Sequence, residues 1–144
     1  MMPSPHEWRI GPHSLHFEPP DLLWVTFQGR LSLNEAADLV ALYKELGSEQ
    51  PFFVLADMKD AELLEPEVRD YISEHMRSGL LLGTVYIGAR LAQKGLAKGI
   101  VLAAQMEERA EPTALETLHF VATEDEARAL VVQLRARMSG MGRS

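Results

Sequence analysis

The chain has 144 residues, a net charge of −7 and no cysteine. This length predicts one domain, because such a chain buries about 70% of its unfolded surface and needs no disulfide or metal to hold a core. The acidic balance argues against nucleic acid as the main partner, since phosphate binding needs a basic field. The lack of cysteine excludes disulfides, thiolate zinc sites and cysteine nucleophiles.

The N-terminus lacks the basic start and apolar block of a signal peptide, and no apolar run approaches the ~18 residues of a membrane span. We therefore expect a cytoplasmic protein without a membrane span. Residues 1–6 and 139–144 are predicted to be flexible, and residues 7–138 to form the domain.

Three strands are predicted first. Residues 8–11 and 14–18 alternate in polarity on either side of the turn-forming pair Gly11 and Pro12, which is typical of a hairpin. Residues 22–29 are rich in β-forming side chains and should form the third strand.

A helix should follow the third strand. Ser32 and Glu35 have the spacing of a capping box, in which each side chain accepts a hydrogen bond from the backbone of the other. This helix is predicted to extend to Leu46, with Gly47 as its C-terminal cap.

The centre of the chain is a run of five apolar residues, 52–56, between Pro51 and Asp57. A short run without alternation is typical of a strand covered on both faces. We expect this strand to end at Asp57, at the edge of the sheet where open α/β folds place their ligand sites, and residues 58–64 to form a loop.

Two more helix–strand units are predicted. Pro66 suits the first turn of a second helix, which should end at Gly79, and residues 84–88 read as a strand. A third helix should start near Ala89 or Arg90 and bury a stripe of small and apolar side chains. The residues of this stripe are Ala92, Leu96, Ile100 and Ala103.

The third helix also contains Gly95 and Gly99, each of which costs about 1 kcal/mol relative to alanine. Two glycines four residues apart indicate either close packing of the backbone or a kink, and we favour close packing. After a loop over residues 107–114, residues 118–122 predict a last strand. A second capping box, Thr123 with Glu126, should open the last helix.

The resulting order, βββαβαβαβα, resembles the STAS fold of sulphate transporters and anti-sigma-factor antagonists, whose relatives include lipid-exchange domains of the SEC14 class. The resemblance spans residues 8–137 and rests on element order, element lengths and the strand at residues 53–57. It implies a single α/β domain with a mixed sheet of about five or six strands and about four helices. It also implies a non-catalytic regulatory or protein-interaction domain. The SEC14 relatives imply an alternative, a module that holds a small apolar or lipid ligand between the sheet and the third helix.

The chain departs from the family at one motif. Phosphoregulated antagonists carry an Asp-Ser-Ser-Gly-like turn at the start of the second helix, whereas residues 60–66 here contain no serine or threonine. Phosphorylation at this position is therefore excluded. A partner docking here would meet a permanent negative charge at Glu62 or Glu65 instead.

Acidic residues around the end of the central strand form the first candidate surface for a protein partner. These are Asp57, Asp60, Glu62 and Glu65. Asp57 and Asp60 could instead bind magnesium, or Asp57 could bind the local backbone, and we favour the local bonds.

Basic residues on the third helix form the second candidate. Arg90, Lys94 and Lys98 recur every four residues and should line one side, where they could meet an anion or an acidic partner, or remain a solvated face. A homodimer through the face of Gly95 and Gly99, or through the exposed side of the sheet, is a further option.

The histidines offer weaker candidates. His13 and His16 lie three apart, so on a strand they should point to opposite faces, and we expect surface or hairpin histidines rather than a metal site. His75 and His119 are expected to be hydrogen-bonded rather than to act as general bases, because no serine nucleophile motif accompanies them. No glycine-rich phosphate loop is present, so no cofactor is predicted.

Overall fold

The computed structural model describes residues 6–76, 80–106 and 118–141. The predicted helix end at Gly79 and the predicted loop at 107–114 lie outside these residues. The elements in chain order are β1 (Glu7–Ile10), β2 (His13–Glu18), β3 (Leu22–Gly29), α1 (Leu33–Glu49), β4 (Phe52–Ala61), α2 (Pro66–His75), β5 (Leu81–Ile87), α3 (Leu91–Met106), β6 (Leu118–Val121) and α4 (Glu124–Met141).

The six strands form one mixed sheet whose spatial order is the order of the sequence, β1 to β6. The pairs β1–β2 and β2–β3 are antiparallel, and the pairs from β3 to β6 are parallel. Each parallel step crosses over through a helix, as parallel pairing requires. The predicted α/β class, element order and mixed sheet are confirmed.

Helices cover both faces of the sheet. One buried cluster, including Leu23 and Val54, packs with Ala36 of α1 and Val68 of α2. The other, which includes Leu55, packs on α4. Helix α2 contacts both α1 and α3. Because the two clusters are made by alternate residues of the same strands, the sheet is the shared wall of two cores.

The predicted capping box of α1 is present. The Glu35 N–H donates to Ser32 Oγ at 3.1 Å, and the Ser32 N–H donates to Glu35 Oε1 at 2.9 Å. At α4 the Glu126 N–H donates to Thr123 Oγ1 at 3.2 Å, but the Glu126 carboxylate accepts from the Ala122 N–H rather than from Thr123. The second box is thus only half formed.

The predicted end of the central strand at Asp57 is wrong, because β4 continues to Ala61. Asp60 and Ala61 pair with Gln28 and Gly29 of β3, beyond a register shift in the ladder. The charged residues Asp57, Lys59 and Asp60 are typical of a loop, but β3 offers hydrogen-bond partners to the backbone of this segment. Pairing with β3 therefore decides the conformation.

Two predictions about glycine were also wrong. Helix α1 passes through Gly47 to Glu49, and Gly47 instead allows the close approach of Leu80, whose Cδ2 would lie 2.8 Å from a Cβ at that position. Gly95 and Gly99 do not pack closely against any described part of the chain, since no described atom beyond the helix backbone lies within 4 Å of a Cβ placed there.

The buried side of α3 also differs from the predicted stripe. Of that stripe, Ala92 is exposed and Leu96 is half-buried, and the side chains of Ile100 and Ala103 lie outside the described residues. Gln93 is buried instead of Ala92, so the start of the helix is turned relative to the prediction. Within the described ranges, no helix is both long and apolar enough to cross a membrane.

Candidate functional site

An acidic surface lies at the carboxyl edge of the parallel strands, where β4 leads into α2. We define the acidic edge as Asp60, Glu62, Leu63, Glu65 and Glu67. The Glu62 N–H donates to the Gly29 carbonyl oxygen at 3.0 Å, which fixes the chain as it leaves β4. Leu63 is 48% exposed among these carboxylates. The acidic edge therefore combines an exposed apolar side chain with negative charge.

Glu65 occupies the N-cap of α2 without making a side-chain cap, and Pro66 follows at the first helical position. Its carboxylate accepts instead from Arg30 Nη2 at 2.8 Å, and both side chains remain largely exposed, at 42% and 60% respectively. An exposed ion pair of this kind contributes about 0–1 kcal/mol. A partner that binds Glu65 would therefore lose little free energy by breaking the pair with Arg30.

Asp57 is separated from the other predicted acidic residues. It pairs in register with Ile87, whose side chain packs in the α4 cluster, so Asp57 faces the α4 side of the sheet. Its Oδ1 accepts from the Lys59 N–H at 3.0 Å, and its Oδ2 lies 3.8 Å from Lys59 Nζ. The local backbone bond that the sequence favoured is confirmed. Among the described residues no three histidine, aspartate or glutamate side chains converge as a metal site would require.

The predicted basic stripe divides into two groups. Arg90 precedes α3 and donates from Nη1 to the Lys59 carbonyl at 3.3 Å and from Nη2 to the Ala61 carbonyl at 2.5 Å. Lys94 and Lys98 instead extend over the ring of Phe120 in β6, with their Nζ atoms 5.7 Å and 5.6 Å from its centroid. Arg90 thus binds the end of β4, and only the two lysines remain together.

Gln93 explains how α3 is held against the sheet. It is 5% exposed, and its Nε2 donates to the Ala61 carbonyl at 3.1 Å while its Oε1 accepts from the Arg90 N–H at 2.8 Å. The bond from the Arg90 N–H caps the start of α3, and the bond to the Ala61 carbonyl joins α3 to the last residue of β4. Sequence reasoning missed this residue because it took the apolar stripe as the buried side.

A groove of about 730 Å³ opens on the α4 side of the sheet, above the N-terminal hairpin. Its side chains come from neighbouring strands in register, and Ser14 pairs with Thr26, which pairs in turn with Asp57. At one end His16 stacks on Trp24, with centroids 6.2 Å apart, and the Arg128 guanidinium lies 4.5 Å from the Trp24 centroid. The lipid-binding alternative placed its pocket between the sheet and α3. The groove instead lies on the opposite face of the sheet.

The groove could have been anticipated in part from alternation. Ser14 and His16 are polar residues two apart on β2, which is typical of a strand face that no helix covers. Trp24 was instead counted only as a β-forming residue, so its position beneath the groove was missed.

His13 lies in the N-terminal hairpin, one of the two predicted positions, but it is buried there rather than at the surface and is 1% exposed. Its Nδ1 accepts from the Gln28 N–H at 3.0 Å, so a neutral ring carries its proton on Nε2, which lies 3.4 Å from Glu35 Oε1. His16 is exposed, so the two residues do face opposite sides, as the spacing predicted.

His75 and His119 occupy ordinary packed positions. His75 Nδ1 lies 2.8 Å from the Tyr71 carbonyl oxygen, and its ring stacks on Tyr71. His119 is partly buried, and burial, with a smaller contribution from Arg137, lowers the pKa of its imidazole. The predicted hydrogen bond is confirmed for His75.

The fold is shared with a protein of solved structure. The solved structure of the anti-sigma factor antagonist SpoIIAA in its unphosphorylated form matches with a TM-score of 0.57, over 83% of this chain and 96% of that chain, at 10% sequence identity. No protein-family model and no curated protein sequence matches. The similarity confirms the STAS-like fold that the element order predicted.

Proposed function

We propose that this chain is a non-catalytic STAS-like regulatory domain that captures a protein partner on the acidic edge. The observation that supports this role most directly is the exposure of Leu63 among carboxylates that precede and begin α2. Protein-binding surfaces typically place apolar side chains at their centre and polar side chains at their rim. The shared fold of an anti-sigma factor antagonist supports a regulatory role over an enzymatic one.

The charge at this edge is permanent. Residues 60–66 offer no hydroxyl for phosphorylation, so the negative charge that Glu62 and Glu65 bring does not depend on modification there. The proposed partner surface is therefore basic around an apolar centre, and its binding is set by partner concentration rather than by modification at this position. Asp57 is not part of the surface, because it faces the α4 side and binds Lys59.

Reversal of charge tests the proposal. The variant E62K/E65K should lose partner proteins that wild type retains in affinity capture from extract of the source cells, because like charges across an interface cost several kcal/mol. Its melting temperature should change little, since only the exposed pair with Arg30 is lost.

A matched control separates the surface from net charge. E45K/E49K makes the same change in charge on exposed residues of α1 and should retain every partner. Equal capture by wild type and E62K/E65K would disprove the proposed role of the acidic edge.

A further inference from the structure

Helix α3 presents an exposed apolar face with no counterpart in the described parts of the chain. Leu91 is 85% exposed and Leu102 is 47% exposed, and Ala92, Gly95 and Gly99 between them are also exposed. Their spacings of three and four residues put them on one side of the helix, opposite the buried Gln93. We call these five residues the α3 outer face.

Because the two glycines have no side chain, the surface at the centre of this face lies close to the helix backbone. No described atom beyond the helix backbone lies within 4 Å of a Cβ placed at Gly95 or Gly99. Each glycine still weakens the helix by about 1 kcal/mol relative to alanine. Since neither glycine serves a turn or a contact within the described fold, the face has the shape that lets a second helix approach closely.

One border of the α3 outer face is positively charged. Lys94 and Lys98 lie beside it over the Phe120 ring, and neither has an ion-pair partner among the described residues. The whole of α3 contains no acidic residue, although the chain carries a net charge of −7. The local field at this face is therefore opposite in sign to the average of the molecule.

We propose that the α3 outer face docks an acidic amphipathic helix of a partner protein. The leucines and glycines receive its apolar side, and its carboxylates lie against Lys94 and Lys98. A second copy of α3 fits less well, because α3 contains no carboxylate that could lie against these lysines.

This surface is distinct from the acidic edge of the proposed function. The acidic edge suits a basic partner and the α3 outer face suits an acidic one, so the domain has two surfaces of opposite charge preference. The two can be tested by separate variants.

The probe is a fluorescein-labelled synthetic peptide of about 20 residues, long enough to form a helix, with leucine and alanine on one side and glutamates along its flanks. A twin peptide carries lysine in place of every glutamate. Fluorescence anisotropy should show that wild type binds the glutamate peptide more than tenfold tighter than the lysine peptide, and that added salt weakens this binding.

Two variants address the two components of the surface. K94E/K98E should weaken binding of the glutamate peptide at least about tenfold, because it reverses the charged border. G95L/G99L should weaken binding to a similar extent, because the leucine side chains keep the peptide away from the helix backbone. This variant should still fold, because both positions are open and leucine favours a helix.

Three controls accompany these variants. G95A/G99A, the charge reversal K44E/R137E on other helices, and E62K/E65K on the acidic edge should all bind as wild type does.

The proposal is overturned if wild type does not bind the glutamate peptide, if it binds both peptides equally, or if K94E/K98E binds unchanged. Self-association of wild type that G95L/G99L abolishes would make a second copy the occupant. Binding that appears only after replacement of Glu107, Glu108 and Glu111 by glutamine would make the chain's own acidic residues the occupant, which also contradicts a partner helix.

Discussion

Glu35 joins the first helix to the N-terminal hairpin through several contacts of one carboxylate. Its Oε1 accepts from the Ser32 N–H at 2.9 Å and lies 3.4 Å from Nε2 of the buried His13. Its Oε2 lies so close to Gly11 that a Cβ there would collide with it. Gly11 also has a φ of +58°, so the turn of the hairpin favours glycine for two separate reasons.

The pKa of Glu35 gives this network a measurable dependence on pH. The bond from the Ser32 backbone lowers the pKa of the Glu35 carboxyl below its ordinary value of 4.5; burial opposes this shift, and His13 adds to it. A carboxyl whose pKa is lower in the folded state contributes stability above its unfolded pKa and loses it as the pH falls through the folded value.

We therefore expect Glu35→Gln, which keeps an accepting oxygen but removes the charge, to be about 1 kcal/mol less stable than wild type near neutral pH. The difference in the free energy of unfolding should shrink as the pH falls through the lowered pKa of Glu35, because the wild-type carboxyl then becomes neutral as well. Urea denaturation at several pH values measures this, with Glu45→Gln on the same helix as the control for losing one charge. A difference that stays constant to the acid end would contradict the contribution of the charge.

At the scale of the element, glycine has opposite effects on stability just before α3 and within it. Gly88, just before the helix, has a φ of +70°, and a Cβ there would lie 2.5 Å from Lys59 Cγ. Gly95 and Gly99 lie within the helix and face open space. The first glycine is required by the fold, and the other two weaken it.

Alanine substitution should separate these cases. Gly95→Ala and Gly99→Ala should each raise the free energy of unfolding by up to about 1 kcal/mol, because helix propensity improves and no clash is created. Gly88→Ala should lower it by about 1 kcal/mol or more, since the left-handed conformation and the Lys59 side chain both oppose a Cβ. Thermal denaturation followed by circular dichroism gives both signs, and loss of stability in Gly95→Ala would mean that α3 is packed on that side.

At the scale of the whole molecule, the sheet joins two cores that have no other large contact in the described chain. Leu23 and Leu55 are both 0% exposed, but Leu23 packs toward α1 and α2 and Leu55 toward α4. Because β3 and β4 contribute to both cores, loss of packing on one face of the sheet should also destabilise the core on the other face.

Leu23→Ala and Leu55→Ala should therefore each lower the free energy of unfolding by about 2–5 kcal/mol in a single transition. Val132→Ala, at a position 64% exposed on α4, should change it by less than about 0.5 kcal/mol. Urea denaturation followed in parallel by tryptophan fluorescence and circular dichroism measures both quantities. Two separated transitions in Leu55→Ala would show that α4 unfolds independently of the rest.

The sequence by itself determined the features that depend on neighbouring residues. The Ser32–Glu35 cap was readable because both partners lie within one turn, and the strand at Leu22–Gly29 and Pro66 at the start of α2 were readable from local preference. The order of these elements was enough to predict the STAS-like fold. Glu62 and Glu65 were likewise placed correctly between β4 and α2, and their role in binding stays a prediction.

Only the tertiary structure decided which of two locally acceptable arrangements was used. Asp57 to Ala61 became strand because β3 offered a free edge, and His13 was buried because Gln28 and Glu35, from β3 and α1, face its two ring nitrogens. The rotation of α3 was set by Gln93, whose Nε2 donates to the Ala61 carbonyl at the end of β4, 32 residues earlier in the chain. In each case the deciding hydrogen bond joins residues far apart in sequence, and no local pattern records it.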